Sequence, residues 1–287
     1  MTSKPTGHLG RVLVVLVGAL LLATIVTAVS AQSYRYSRRS GRAYSRDVTR
    51  ESERNGVPRW ENDAEFASDV FTFVRIDYSS GGGWGGRWDT DYPDSDLNLS
   101  YRLQELTSLK VDPDGKIISL DDPDLLNYPF AYIIEPGRMS LSESEVSGLQ
   151  HYLENGGFIM VDDFWGRSEW NNFEREMRRA FPDKTLVELP IEHEIFHCVY
   201  DLKQKPQIPS IDHYLSGRTH EGGSDGRDVH YKGLFDDDGR MMMVVCHNTD
   251  LGDGWEREGV DEGFFKTYSE RWAYPMGINI ITYAMTH

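Results

Sequence analysis

Short apolar segments alternate with amphipathic segments between residues 70 and 189, and no other feature of the chain limits its fold as much. The apolar segments have the length and composition of buried strands and cover residues 70–76, 116–120, 130–134, 158–161 and 185–189. Regular alternation of strand and helix is typical of a parallel sheet with helices on both faces. The sequence therefore predicts an α/β fold: a doubly wound, mainly parallel sheet in a three-layer sandwich, in which the first, third and fourth strands are parallel neighbours.

Local signals mark the ends of the predicted helices. A leucine-rich helix is expected to begin near Asp94, and Ser142 is the expected N-cap of a second helix. That second helix ends before the glycine pair 156–157, because glycine readily adopts the left-handed backbone that terminates helices. A third helix is predicted over residues 169–181.

A hairpin interrupts this alternation in the last third of the chain. Residues 229–235 and 241–246 are apolar segments that flank the sequence Asp-Asp-Asp-Gly, which favours a tight turn between two strands. Two closing helices are predicted after it, over 264–272 and 276–284. We therefore expect a C-terminal hairpin insertion in the α/β domain.

The first 31 residues have the features of an export signal. Two basic residues precede a charge-free, largely apolar run over 12–29, and the small residues Ser30 and Ala31 stand before Gln32. The run is long enough to serve as an uncleaved membrane anchor as well as a cleaved signal peptide, and both alternatives remain open. Either one predicts a protein that is exported, periplasmic or membrane-anchored.

Charge divides the rest of the chain into a basic segment and an acidic body. Residues 32–66 are rich in Arg, Ser and Tyr and have no apolar periodicity, which predicts a linker, and residues 67–287 form the predicted domain. The chain has 30 Lys and Arg against 46 Asp and Glu, a formal net charge of -16. Because an acidic body repels a phosphate backbone, we expect no nucleic-acid partner. The predicted partner of an exported protein of this kind is an envelope protein or a small ligand.

Five segments of the predicted domain carry a family resemblance. They cover residues 97–103, 135–137, 156–166, 195–197 and 274–279, with the sequences LNLSYRL, EPG, GGFIMVDDFWG, IFH and YPMGIN. Together they resemble the bacterial domain-of-unknown-function family 4159 over nearly all of the domain. The resemblance implies a fold similar to that of class I glutamine amidotransferases, in a family with no established activity.

Polar and aromatic residues follow three of the predicted strands. Tyr78 follows the first strand, Glu135 follows the third, and Asp162, Asp163 and Trp165 follow the fourth. Parallel strands end at one edge of a sheet, where open α/β proteins bind ligands, so we predict a binding site from these five residues. Adjacent carboxylates at 162 and 163 would raise each other's pKa or hold a hard cation. The alternative is that one of the pair caps the following turn while the other meets solvent.

The segment 193–197 matches the H-E-x-x-H pattern of zinc peptidases, in which both histidines lie on one helix. Pro190 and the neighbouring apolar residues favour a short strand or loop, so a peptidase is not predicted. A looser metal site that uses His193, His197, His247 or an acidic residue is one hypothesis, and a chance match is the other. The sequence identifies no cofactor. A further acidic group has spacing that fails the EF-hand pattern and predicts a solvated surface; it comprises residues 250, 253, 256 and 258.

Two functional hypotheses remain. An amidotransferase-like enzyme needs a nucleophile in the sharp turn after a strand, and the corresponding segment 163–166 contains neither Cys nor Ser. We therefore favour a non-catalytic binding or assembly module of the bacterial cell envelope. The alternative is an envelope hydrolase that uses strand-end carboxylates, with or without a His-ligated metal. The two cysteines, Cys198 and Cys246, permit either one disulfide or two free thiols.

Overall fold

A computed structural model describes residues 54–66, 69–81 and 87–287. The predicted export signal, and the predicted linker as far as residue 53, lie outside the described residues. Within these ranges, no helix is long and apolar enough to cross a membrane.

Residues 54–66, the last part of the predicted linker, pack against the domain. The side chain of Arg54 is buried, and its Nη1 donates to Asp114 Oδ1 at 2.7 Å. The indole Nε1 of Trp60 donates to Val111 O at 2.8 Å. The composition of this segment predicts a solvated linker. In the structure, the Arg54 and Trp60 side chains instead donate hydrogen bonds to specific acceptors on the domain.

In the described part of the chain, seven strands form one mixed sheet that is mostly parallel. They are β1 (Val74–Asp77), β2 (Lys116–Ser119), β3 (Phe130–Ile134), β4 (Phe158–Asp162), β5 (Val187–Glu188), β6 (His230–Phe235) and β7 (Met241–His247). Their order across the sheet is β2-β1-β3-β4-β7-β6-β5. Neighbouring strands are parallel except that β6 is antiparallel to both β5 and β7. The predicted parallel pairing of β1 with β3 and of β3 with β4 is confirmed, so the carboxyl ends of these strands lie on one edge.

Both faces of the sheet are covered by apolar cores. In β3, Phe130, Tyr132 and Ile134 join one core, and Ala131 and Ile133 join the other, as expected when alternate side chains point to opposite faces. The helices are α1 (Asp94–Leu106), α2 (Glu143–Glu154), α3 (Gly166–Ala180), α4 (Ile211–Leu215), α5 (Leu251–Glu256), α6 (Glu262–Phe264) and α7 (Tyr274–Thr286), with a π-helical stretch, Phe265–Ala273, joining α6 to α7. The first core contains residues of α1, α4, α5, α6 and α7, and the second contains residues of α2 and α3.

Local sequence signals place the helix ends closely. Ser142 caps α2 with a capping box: Ser142 Oγ accepts from Glu145 N at 3.2 Å, and Glu145 Oε2 accepts from Ser142 N at 2.7 Å. The same helix ends just before Gly156, whose φ is 96°. The start of α1 at Asp94 agrees with the prediction, whereas α3 begins at Gly166, before the predicted start at residue 169.

The predicted hairpin forms, but its second strand is central to the sheet. β6 and β7 pair antiparallel, and β7 is also parallel to β4. The hairpin is therefore part of the main sheet rather than a separate addition, because every residue of β7 is buried and needs neighbours on both sides. This position brings the residues that follow β7 to the same edge as the ends of β3 and β4. Cys246 on β7 and the more distant Cys198 are both free thiols.

Candidate functional site

Four non-glycine residues with positive φ lie at the carboxyl edge of the sheet. Glu135 (φ 47°) follows β3, Asp163 (φ 54°) follows β4, and Asn248 (φ 62°) follows β7. Asp91 (φ 61°) lies in the connection between β1 and α1. One further non-glycine residue in the described ranges, Asn55, has such a backbone. Because a left-handed backbone is strained in residues with a Cβ and such strain collects at functional sites, this edge is the candidate site.

Three of these four residues, Asp91, Glu135 and Asp163, line a cleft of about 330 Å³. Glu135, Asp163 and Trp165, three of the predicted site residues, line it. Its other charged lining residues are Arg87, Asp91, Glu169, Glu221, Asp250, Asp253 and Arg257. A larger groove of about 560 Å³ lies where β1, β2 and β3 begin, around Lys116, and contains none of the predicted site residues. The smaller cleft is therefore the one that contains predicted site residues, and its acidic side chains outnumber its arginine side chains.

Asp162 is the last residue of β4, and its side chain hydrogen-bonds to the start of α5. Its side chain is fully buried; Oδ2 accepts from Gly252 N at 2.9 Å and from the Tyr132 hydroxyl at 3.2 Å. The other oxygen, Oδ1, is buried with no hydrogen-bond partner. Burial raises the pKa of Asp162 to about 7, although the N–H of Gly252 lowers it. Asp162 thus attaches the first turn of α5 to the central strand.

Asp163 and Trp165 form the sharp turn between β4 and α3. Asp163 Oδ1 accepts from Trp165 Nε1 at 3.0 Å, and the Trp165 backbone N–H donates to Glu169 Oε2 at 2.8 Å. Burial and the nearby carboxylates of Glu135 and Asp91 raise the pKa of Asp163 well above its ordinary value. Asp163 is only 8% exposed and Asp162 is fully buried, so neither member of the pair simply meets solvent.

Glu135 and Tyr78 are brought together by the neighbouring ends of β1 and β3. The Tyr78 hydroxyl donates to Ile134 O at 2.9 Å and to Glu135 O at 2.8 Å, so Tyr78 holds the strained backbone rather than lining the cleft. The Glu135 carboxylate forms an ion pair with Arg87, and its Oε1 accepts from Thr90 Oγ1 at 3.1 Å. Burial raises the pKa of Glu135 to about 7 despite Arg87, which lowers it.

A buried arginine holds the connection that carries Asp91. Arg75 on β1 forms an ion pair with Asp96 on α1, with Nε 2.9 Å from Asp96 Oδ2. Its Nη1 donates to the carbonyls of Trp88 and Thr90, both at 2.9 Å. One side chain therefore connects β1, α1 and the segment that leads into Asp91.

Asp250 and Asp253, which follow β7, line the cleft, so the prediction that they lie on a solvated surface is wrong. Asp250 is 4% exposed and Asp253 is 2% exposed. Asp250 caps α5, with Oδ1 accepting from Asp253 N at 2.7 Å, and Asp253 Oδ2 accepts from Ile211 N at 2.6 Å. They are buried because β7 is a central strand and its end joins the site edge. The strand-end rule applied to β7 would have indicated Asp250, whereas Asp91 has no comparable local signal.

Two groups of three carboxylates share Asp91 at this edge. In each group, one oxygen per residue lies within 4.8 Å of the others; the groups are Asp91, Asp163 and Asp250, and Asp91, Asp253 and Glu256. Arg257 lies 2.7 Å from both Asp253 Oδ1 and Glu256 Oε2, and so compensates the second group. Burial raises the pKa of Asp91 to about 6, and burial together with Asp163 raises that of Asp250 well above its ordinary value. Such a centre takes up protons or cations.

The three histidines of the metal hypothesis do not come together. His193 caps a short 3₁₀ turn with its own side chain, which accepts from the second residue of that turn. His197 Nδ1 lies 2.8 Å from Asp201 Oδ1, and His247 Nε2 lies 3.1 Å from Gly166 O. In the part of the chain that the structure describes, the groups of three suited to a metal ion contain carboxylates alone. The H-E-x-x-H segment forms a short 3₁₀ turn, Glu194–Phe196, and not the helix of a zinc peptidase.

Residues 72–285 match a family described as "Domain of unknown function (DUF4159)". No curated protein matches the chain. The matched range contains all seven strands and every residue that lines the 330 Å³ cleft. The resemblance carried by the five sequence segments is therefore confirmed, and the chain belongs to the DUF4159 family.

Proposed function

We propose that this protein is a non-catalytic binding or assembly module that seats its ligand in the cleft at the carboxyl edge of the sheet. The observation that carries the proposal is the backbone strain at that edge, where Asp91, Glu135, Asp163 and Asn248 all have positive φ. A fold keeps several strained residues side by side when they position groups for a ligand. The cleft volume of about 330 Å³ falls in the range of small-ligand sites.

We also propose the finer fold relationship that the sequence suggests, a doubly wound three-layer sandwich of the class I glutamine amidotransferase type. Parallel central strands and helices on both faces support it. In such an enzyme the nucleophile occupies the sharp turn after a central strand, and Asp163 stands in the comparable turn here. The lack of Cys and Ser at residues 163–166 favours binding over glutaminase chemistry.

A ligand screen with a matched pair of variants tests the binding function. Asp163→Asn removes the charge but keeps a residue that tolerates left-handed backbone, and Asp183→Asn makes the same change at an exposed position. Thermal melting is measured with sugars, amino acids, short peptides and organic acids as probes. We expect a stabilising compound to raise the melting temperature of wild type and Asp183→Asn by several degrees and that of Asp163→Asn by less than half as much. Hits that stabilise all three proteins equally would mean that the cleft is not the ligand site.

The second candidate is a hydrolase, and the position of Asp163 favours it specifically. A carboxylate in a positive-φ turn between a central strand and a helix is placed as a nucleophile would be. This candidate now relies on carboxylates, since the histidines lie apart. Chromogenic esters, phosphoesters, glycosides and amides provide the test. The binding proposal expects no turnover above the Asp163→Asn background, whereas wild-type turnover lost about 100-fold or more in Asp163→Asn would favour the hydrolase.

The proposed place of action is the cell envelope, with an envelope protein or a small ligand as partner. The apolar run over 12–29 and the small residues before Gln32 support export, and retention of the run would add membrane association. Mass spectrometry of the native protein tests this. We expect either a mature chain that begins near Gln32 or an intact chain in the membrane fraction, and recovery of a soluble cytoplasmic chain that begins at Met1 would contradict it.

A further inference from the structure

Three carboxylates in the cleft are arranged around a common point. Asp91, Asp163 and Asp250 each place one oxygen within 4.8 Å of the other two. They come from three separate parts of the chain: the connection after β1, the turn after β4 and the segment after β7. Oxygens bound to one calcium ion at about 2.4 Å lie at most about 5 Å apart, so this spacing matches shared coordination of a single ion.

The neighbouring arginines are committed to other carboxylates. Arg87 forms its ion pair with Glu135, and Arg257 forms ion pairs with Asp253 and Glu256. Among the residues with described positions, no Lys or Arg forms an ion pair with Asp91, Asp163 or Asp250. These three carboxylates of like charge therefore have no direct ion-pair partner among the described residues, and Arg75 and Arg87 act on Asp91 and Asp163 only from a distance.

Two buried oxygens without hydrogen-bond partners provide an independent observation. Asp162 is fully buried and its Oδ1 has no hydrogen-bond partner. Asp91 is half-buried as a residue, but its Oδ2 atom is itself buried and also has no hydrogen-bond partner. Both residues approach Gly252: its N–H donates to Asp162 Oδ2, and a Cβ on it would lie 2.7 Å from Asp91 Oδ2. Buried polar atoms in folded proteins nearly always have a partner, and a cation held by the triad would provide one for the Asp91 carboxylate.

The backbone arrangement favours a built site over a chance cluster of acids. Asp91 and Asp163 both have positive φ, and Asp250 has its Oδ1 occupied as the cap of α5. Each carboxylate is thus held by a particular turn or cap rather than by a flexible surface segment. Aspartate oxygens are hard donors that suit Mg²⁺, Mn²⁺ and Ca²⁺, and the group contains no Cys or His to favour zinc.

We infer that Asp91, Asp163 and Asp250 together bind one hard divalent cation in the cleft. The inference rests on the proposed function insofar as the cation would lie in the proposed ligand cleft. Three protein ligands leave coordination positions open, so a bound ligand that carries oxygen donors would complete the shell. The cation would then be the group that the binding site presents to its ligand.

Calorimetry and thermal melting of the full chain, stripped with EDTA and titrated with Mg²⁺, Mn²⁺, Ca²⁺ or Zn²⁺ alone, test the inference. Asp91→Asn and Asp250→Asn remove one ligand each while keeping a residue that suits left-handed backbone or a helix cap. Asp122→Asn is the matched control, because Asp122 also caps a short helical turn and lies outside the cleft. We expect at least one of the hard cations to bind wild type and Asp122→Asn equally and the two site variants about tenfold or more weakly.

A second measurement separates loss of a ligand from loss of folding. In EDTA, each site variant should melt no lower than wild type, because it relieves repulsion between neighbouring carboxylates. Lower melting in EDTA, the absence of binding by every hard cation at millimolar concentration, or equal binding by all four proteins would each overturn the inference. A ligand hit from the screen above that persists in EDTA would overturn the cation's role and leave the proposed function intact. Cation binding without any ligand hit would leave the cation site intact and would contradict the proposed ligand-binding function.

Discussion

Replacing Arg75 by methionine tests how the acidic edge is held together. The guanidinium is fully buried and forms an ion pair with Asp96, while Ser95 Oγ and the carbonyls of Trp88 and Thr90 each accept from it at 2.9 Å. Methionine keeps much of the unbranched apolar length. It leaves the Asp96 carboxylate, which is 5% exposed, without its cation, and it leaves two carbonyls without their donor.

The expected loss of stability follows from these contacts. Breaking a buried ion pair by removing one partner costs about 3–5 kcal/mol, and each orphaned carbonyl adds about 1 kcal/mol where the connection cannot turn to water. We therefore expect Arg75→Met to lower the free energy of unfolding by about 4–6 kcal/mol. In a domain of this size each kcal/mol lowers the melting temperature by about 2–4 °C, so the drop is at least about 8 °C.

Urea denaturation of single and double variants measures the coupling. Asp96→Asn in the wild-type background leaves Arg75 unpaired, whereas in the Arg75→Met background it removes an orphaned charge. The two changes should therefore be non-additive by about 2 kcal/mol or more. Arg178→Met is the control, because Arg178 is 70% exposed and pairs with Glu174 on the surface of α3. A loss below about 1 kcal/mol for Arg75→Met, or strict additivity in the double variant, would refute the reasoning.

Three other perturbations have distinct expected outcomes. Burial lowers the pKa of His247 to about 4, so the folded state binds fewer protons than the unfolded chain, and stability falls as the pH drops from about 6.5 to 4. His247→Gln should remove up to about 3 kcal/mol of that acid-induced loss, measured as the difference between the two proteins in denaturant titrations across this pH range; parallel curves would contradict it. Gly252→Ala would place a Cβ 2.7 Å from Asp91 Oδ2, and should cost about 1–3 kcal/mol and weaken cation binding in calorimetry. Gly148→Ala would place a Cβ 2.0 Å from Leu120 O and should destabilise at least as much, but an accompanying loss of cation affinity would contradict the assigned site.

The sequence alone was sufficient for most of the secondary structure, because those signals are local. The buried strands β3 and β4 appear as short apolar runs, and the Ser142 cap with Glu145 three residues later marks the start of α2. Alternation of strand and helix then predicted parallel pairing. Glu135, Asp163 and Trp165, which the strand-end rule selected, line one cleft because parallel strands end on the same edge of the sheet.

The position of β7 depended on tertiary structure. A hairpin pattern specifies that two strands pair with each other, but not which other strand the hairpin joins, because that choice depends on burial of both faces and edges. Pairing of β7 with β4 is what moves Asp250 and Asp253 from an expected surface to the buried edge. Conversely, His193 and His197 are close in sequence but have different hydrogen-bond partners. The side chain of His193 accepts from Ile195 N in a 3₁₀ turn, and that of His197 bonds to Asp201.

The acidic centre is therefore a property of the fold more than of any local sequence. Residue types and helical or strand periods are encoded within a few neighbours, and they determined an acidic α/β domain with polar strand ends. Asp91 lies beside Asp163 and Asp250 where Arg75 holds its connection against β1 and where β7 pairs with β4. Such contacts link residues far apart in the chain, and their energies depend on burial and charge compensation that exist only after the sheet has assembled.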